Sequence, residues 1–133
     1  MEVIVDTCIW SLALRRRRDS GDPHVAELAK LVEQSRVQLL GPIRQELLSG
    51  VRSTEQFEML REKLRAFPDL VSDETDYERA ADYFNICRSH GVQGSNTDFL
   101  ICALSHRHEM PIYTTDEDFG RYAAILPVSL HVP

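Results

Sequence analysis

Short β-branched runs alternate with stretches of helical spacing along this sequence, and that alternation restricts the folds open to it more than any other feature. Val3-Ile4-Val5 stops at the polar pair Asp6-Thr7, which predicts a buried strand ending at a polar edge. Gly21-Asp22-Pro23 opens a helix with Val25, Leu28, Ala29 and Val32 at helical spacing. Val37 to Leu40 predicts a second strand, closed by Gly41-Pro42. A helix follows from about Pro42 to Leu48, with Ile43, Leu47, Leu48 and Val51 on its apolar side. Ser53 or Thr54 caps a further helix that turns Phe57, Leu60 and Leu64 inward and ends at Pro68. Leu70-Val71 is a weak third strand. Tyr77, Ala80, Ala81, Phe84 and Cys87 then form a 3.6-residue stripe stopped by Gly91. Ser95-Asn96-Thr97 caps a helix from Asp98 to Ser105 whose apolar run, Phe99 to Leu104, is unbroken and predicts full burial. Pro111-Ile112-Tyr113 is a strand ending in Thr114-Thr115-Asp116, and Val128 to Leu130 is the candidate for an edge strand.

Such an alternation predicts an α/β sandwich with a mainly parallel sheet, in which ligands bind outside the carboxyl ends of the strands. The 133 residues suit one domain, taken as residues 1–133, with a core that needs neither disulfides nor a structural metal. Cys8, Cys87 and Cys102 are an odd set without a C-x-x-C pair, read as buried thiols of a reducing compartment. The apolar run from Val3 to Leu14 contains Asp6, and its basic cluster follows rather than precedes it, so this run is not expected to be a secretory signal. No stretch has the length of a membrane span, so the expected location is the cytoplasm.

The net charge of −6 argues against a nucleic-acid partner only if the acids are not themselves gathered around cations. Four acids stand where that is feasible. Asp6 follows the first strand and reads equally as a turn or helix cap. Glu46 lies in the helix near residues 42–48, where any single Glu more often belongs to a solvated face. Asp98 is in the first turn of the apolar helix, where the macrodipole favours an acid. Asp116 follows a strand and reads equally as a cap shared with Thr115 and Asp118. In a doubly wound sheet, Asp6, Asp98 and Asp116 would meet at one rim. Carboxylates gathered there would raise one another's pKa unless a cation lay among them. Oxygen ligands select hard ions, so Mg²⁺ or Mn²⁺ is expected rather than zinc. Such ions can hold a phosphodiester, activate water and stabilise a leaving oxygen.

The segments Val3-Ile4-Val5-Asp6-Thr7-Cys8-Ile9-Trp10, Arg44-Gln45-Glu46-Leu47-Leu48-Ser49-Gly50, Asn96-Thr97-Asp98-Phe99-Leu100-Ile101-Cys102-Ala103 and Thr114-Thr115-Asp116-Glu117-Asp118-Phe119, in this order, give the chain its resemblance to a known family. It resembles the PIN-domain ribonucleases, and within them the VapC-type toxins of bacterial toxin–antitoxin pairs. The resemblance spans nearly the whole chain. It implies a three-layer α/β/α sandwich and a metal-dependent endoribonuclease. The acidic quartet would be Asp6, Glu46, Asp98 and Asp116, with Asp6 and Asp98 the principal ligands of Mg²⁺ or Mn²⁺. Thr7 and Thr114 would orient a carboxylate or phosphate, and Asp118 would share the fourth acidic role with Asp116. The resemblance also implies a cognate antitoxin and a homodimer.

Arg15, Arg16, Arg17 and Arg18 are the candidate RNA phosphate contacts, and read equally as a solvated loop or a partner surface. Arg44, close to Glu46, is a further candidate, set against a solvated helix face. His24, His90, His106, His108 and His131 are scattered, so no catalytic histidine is expected. Two rival readings remain. A non-catalytic PIN-like RNA- or protein-binding module would be expected to have lost one of the four acids. An Asp-based phosphoacceptor domain needs a lysine at the end of a late strand, whereas the lysines are Lys30 and Lys63.

Overall fold

The computed structural model describes residues 1–15 and 21–133. Its centre is β1 (Val3–Val5), three β-branched residues that are wholly buried on both faces. That double burial is why the run carries no polar alternation. On one side β1 pairs in parallel with β2 (Val37–Leu40), through Val3 with Val37 and Ile4 with Gln38. On the other it pairs in parallel with β4 (Ile112–Tyr113), through Ile4 with Ile112 and Val5 with Tyr113. The two-residue strand β3 (Asp69–Leu70) lies outside β2, giving the order β3-β2-β1-β4. The chain thus leaves β1 for one side of the sheet and later returns to the other. The carboxyl ends of β1 and β4 therefore flank the point where strand order reverses, the usual ligand crevice of such sheets.

Seven helices among the described residues complete a three-layer α/β/α sandwich: α1 (Thr7–Arg15), α2 (Pro23–Glu33), α3 (Gly41–Leu48), α4 (Thr54–Leu64), α5 (Glu74–Ser89), α6 (Asn96–His108) and α7 (Asp118–Ala123). Asp22, Ser53 and Ser95 cap α2, α4 and α6 through their side chains. Helix α6 is the buried one, with every residue from Phe99 to Ser105 enclosed, as its unbroken apolar run predicts. No helix among the described residues is long and apolar enough to cross a membrane.

Several local expectations are corrected. Helix α1 is an addition to the elements expected from the sequence, since only the polar pair Asp6-Thr7 separates its apolar residues from those of β1. The inward face of α5 is Asp76, Ala80, Tyr83 and Cys87, whereas Tyr77 is 57% exposed and Ala81 lies outside. The face is rotated because Arg107 of α6 reaches across to pair with Asp76, which allows a carboxylate to be buried. In α2 the buried residues are Leu28 and Leu31, while Ala29 and Val32 face outward. The candidate edge strand at 128–130 is reduced to one parallel bridge, Ile112 with Leu130. Trp10 is core, its indole N–H donating to the Val5 carbonyl and its ring meeting Phe67 edge-on.

Candidate active site

Asp6 leaves the carboxyl end of β1, and its backbone N–H donates to the Tyr113 carbonyl at the end of β4. The residue is only 8% exposed. Its Oδ1 accepts the Thr7 N–H at 2.8 Å and its Oδ2 accepts the Thr114 hydroxyl at 2.8 Å. Burial pushes its carboxyl pKa above the ordinary value; the Thr114 and Thr7 hydrogen bonds oppose that, and the nearby charge of Asp98 adds to it.

Asp98 arrives from another layer, in the first turn of α6, with its own N–H held by the Ser95 hydroxyl at 3.1 Å. It is half-buried, and its Oδ2 accepts the phenolic hydroxyl of Tyr122 at 2.7 Å. Burial first, then this bond and the charges of Asp98, Asp118 and Asp116, push the Tyr122 phenol far above its ordinary pKa. The phenol therefore keeps its proton and serves as a donor.

The remaining acids are more open. Glu46 is exposed on α3, which begins directly after β2, and its Oε1 accepts the Thr7 hydroxyl at 3.0 Å. Asp116 is exposed beyond β4. Its N–H donates to the Thr114 hydroxyl at 3.0 Å and its Oδ1 accepts the Asp118 N–H at 2.9 Å. Asp118 opens α7 and pairs with Arg121. One hydrogen-bonded chain therefore runs Glu46–Thr7–Asp6–Thr114–Asp116–Asp118, while Asp98 is linked to it electrostatically through Asp6 and by hydrogen bond to Tyr122.

Among the described residues, no three His, Cys, Asp or Glu side chains converge into a metal cage. The donor set is nonetheless that of a hard ion. Mg²⁺ is commonly held by only one or two carboxylates and retains several waters. A buried carboxylate destabilised by its surroundings and by a second acid is what a cation would relieve, so Asp6 with Asp98 fits such an ion.

The other candidates lie elsewhere. Arg15 to Arg18 fall outside the described side chains. Arg44 turns away from solvent: its Nε donates to both Asp69 carboxylate oxygens at 3.1 and 3.3 Å, its Nη1 to the Leu64 carbonyl at 3.1 Å, and its Nη2 to the Phe67 carbonyl. The guanidinium is thus committed to the end of α4 and to β3, which counts against a phosphate contact. Cys8 is half-buried rather than enclosed in apolar residues. Its thiol lies 3.4 Å from the Thr114 hydroxyl and 3.3 Å from that of Thr115, while Cys87 and Cys102 are buried. Tyr122 was missed altogether; the only available signal is that a buried tyrosine hydroxyl needs a partner.

Comparison with known proteins agrees with this architecture. The family profile described as "PIN domain" matches residues 3–125. "Ribonuclease VapC11" of Mycobacterium tuberculosis is 31% identical over 127 residues, which cover 92% of each chain. The solved structure of FitAcB from Neisseria gonorrhoeae superposes with a TM-score of 0.77 at 22% identity, over 98% of this chain and 97% of that one. VapBC2 from Rickettsia felis, solved bound to a DNA fragment from its promoter, gives 0.78 at 16% identity over 98% of both chains. The last two likenesses speak for the fold.

Proposed function

Because the chain belongs to the PIN-domain family, we propose that it is a metal-dependent endoribonuclease, the toxin of a toxin–antitoxin pair, and that its acidic rim is the catalytic site. The observation that best supports this reading is a buried carboxylate, Asp6, at the end of β1, within the electrostatic reach of a second acid, Asp98, at the start of α6. Each of the two is held by a hydroxyl from a different element. The ribonuclease relative matched along nearly its whole length supports RNA as the substrate.

In this reading Asp6 and Asp98 hold Mg²⁺ or Mn²⁺, and Glu46 and Asp116 complete the pocket, directly or through water. Asp116 takes the fourth role, since the Asp118 carboxylate is engaged by Arg121. The bound ion would supply Lewis acidity toward an RNA phosphate and its attacking water. The chain's own residues do the positioning. Thr114 holds Asp6 at the strand ends, Thr7 ties Glu46 to the start of α1, and Tyr122 holds Asp98. Exposure of Glu46 and Asp116 leaves one side of the rim open to an extended strand of RNA, the form in which unpaired phosphates are most accessible. A cognate antitoxin, a homodimeric assembly and a cytoplasmic location belong to the same proposal.

Antitoxin-free protein incubated with total RNA in Mg²⁺, Mn²⁺ or EDTA tests it, with Asp98→Asn purified identically as the control. Discrete fragments that require the ion and vanish in the variant are the expected result. Metal-independent cleavage, or equal cleavage by both proteins, would overturn the assignment of the site. An inactive wild type that still binds RNA would favour the non-catalytic module.

A further inference from the structure

Tyr122 belongs to none of the four acidic segments, yet it is wholly buried and its hydroxyl ends on Asp98. Its ring is fixed between Phe99, 4.9 Å away between centroids, and Phe119, 5.1 Å away and edge-on. The hydroxyl has a neutral acceptor within range, the Gln93 carbonyl at 3.5 Å, but it lies much closer to the carboxylate, at 2.7 Å. A buried tyrosine seeking only to satisfy its proton has no need of a charged partner. The shorter bond is charge-assisted, and it constrains the carboxylate as much as the phenol.

Gly94 lies against the same hydroxyl. A Cβ placed there would stand 2.2 Å from the Tyr122 oxygen, 2.8 Å from Cζ and 3.0 Å from Cε2 of Phe99. No side chain is compatible with the hydroxyl in its present position. Gly94 also lies just before Ser95, the residue that caps α6 and bonds the Asp98 N–H. The loop before α6 therefore supports Asp98 twice, once through its backbone and once by leaving room for Tyr122. Tyr122 in turn rides on α7, whose first turn is bonded to Asp116.

We infer that Tyr122 is a positioning residue for the Asp98 carboxylate, and that Gly94 is the space that lets its hydroxyl reach it. The inference rests on the reading of the rim as a metal site. With Oδ2 taken by the phenol, the carboxylate is held in one plane and meets an incoming ion without reorganisation. Hydrogen-bonding partners of this kind commonly contribute about ten- to a hundredfold to metal affinity or activity.

The test is Mn²⁺ binding to the antitoxin-free protein without RNA, followed by electron paramagnetic resonance of the free ion. Steady-state cleavage of a short RNA that the wild type cuts is measured alongside. Tyr122→Phe keeps the ring between Phe99 and Phe119 and removes only the hydroxyl. It is expected to bind Mn²⁺ about tenfold more weakly and to lower kcat about tenfold, with KM for RNA within about twofold of wild type. Gly94→Ala, whose methyl group cannot coexist with the hydroxyl in its present position, is expected to give the same pattern. The double variant should be no worse than the poorer single one, as for two changes that remove one interaction. Wild-type Mn²⁺ affinity and kcat in Tyr122→Phe would overturn the inference while leaving the metal site standing. So would a loss confined to KM, or fully additive effects. Absence of Mn²⁺ binding by the wild type would overturn the metal reading, and this inference with it.

Discussion

The hydroxyl of Thr114 donates to Oδ2 of Asp6 at 2.8 Å across the carboxyl ends of two neighbouring strands. The Thr114 hydroxyl oxygen also accepts the N–H of Asp116, at 3.0 Å. One side chain at the end of β4 thus orients the buried acid and anchors the segment that carries an exposed one. Of the influences on the Asp6 carboxyl, the Thr114 bond is the strongest that favours its charged form.

Thr114→Val is expected to raise the Asp6 pKa further, since burial and Asp98 then act with less opposition. The acidic limb of the cleavage pH profile should move to higher pH, and activity near neutrality should fall about tenfold. Thr114→Ser, which retains the hydroxyl, should preserve both. A pH–rate series on the three proteins checks this, and an unmoved acidic limb in Thr114→Val would count against the coupling.

Asp6→Asn should separate stability from function. The folded pKa of Asp6 lies above its ordinary 3.8, chiefly because of burial. Between the unfolded and folded values the folded chain binds more protons, so stability falls as pH rises through that window. At neutral pH without metal the charged side chain is therefore a source of strain. Its replacement should raise the thermal midpoint in EDTA while reducing cleavage by about a hundredfold. Adding Mn²⁺ should raise the midpoint of the wild type and leave that of the variant where it was. Thermal unfolding with and without Mn²⁺ measures both effects.

Much of the fold is legible wherever one residue pattern has one outcome. Val3-Ile4-Val5 has no solvated face to signal, and in the structure it is the centre of the sheet. The unbroken run in α6 is likewise enclosed. Legibility fails where a distant partner decides. Asp76 reads as polar surface until Arg107, on another helix, is brought beside it, and the face of α5 turns accordingly. Helix α1 is hidden because only the polar pair Asp6-Thr7 separates its apolar residues from those of β1, and the bond from the Thr7 N–H to the Asp6 carboxylate that starts it is visible only in three dimensions. Asp6, Asp98 and Asp116 stand out by their position at element ends, whereas Glu46, within α3, is singled out only by the family resemblance. Their hydroxyl partners are less evident: Thr7 and Thr114 are neighbours in sequence or motif, but Tyr122 meets Asp98 only through the packing of α7 on α6.

Arg44→Ala is expected to act on stability rather than on RNA. The guanidinium joins α3 to the end of α4 and to β3 through Asp69 and two carbonyls. Loss of charged hydrogen bonds of this kind costs about 1.5–3 kcal/mol. An unfolding free energy from urea denaturation lowered by that amount is the expected outcome, with the salt dependence of RNA binding unchanged. A slope reduced by about one would instead mark a phosphate contact.

Asp76 and Arg107 should make the stability of the fold acid-sensitive, with the opposite sign to Asp6. Asp76 is 2% exposed, and Arg107 meets it with two bonds, Nε to Oδ1 at 2.7 Å and Nη2 to Oδ2 at 2.8 Å. The Asp73 N–H adds a third bond at 3.0 Å, closing the capping box that starts α5. Burial pushes the Asp76 carboxyl up, but the Arg107 bonds and charge and the Asp73 contacts outweigh it and hold the pKa below 3.8. The unfolded chain therefore binds more protons in the window between the two values. The stabilisation is fully present above the unfolded pKa and is lost as pH falls through the folded one. Asp76→Asn puts an amide N–H₂ against a guanidinium and should lower stability at neutral pH by about 1–3 kcal/mol, with the 38% exposure of Arg107 favouring the lower end of that range. The gap between wild type and Asp76→Asn should close on acidification, since only the wild type has a carboxylate to protonate. Urea midpoints for both proteins, measured from neutrality down through the carboxylate range, read the gap directly. A gap of constant size would show that Asp76 is not the charged partner of Arg107.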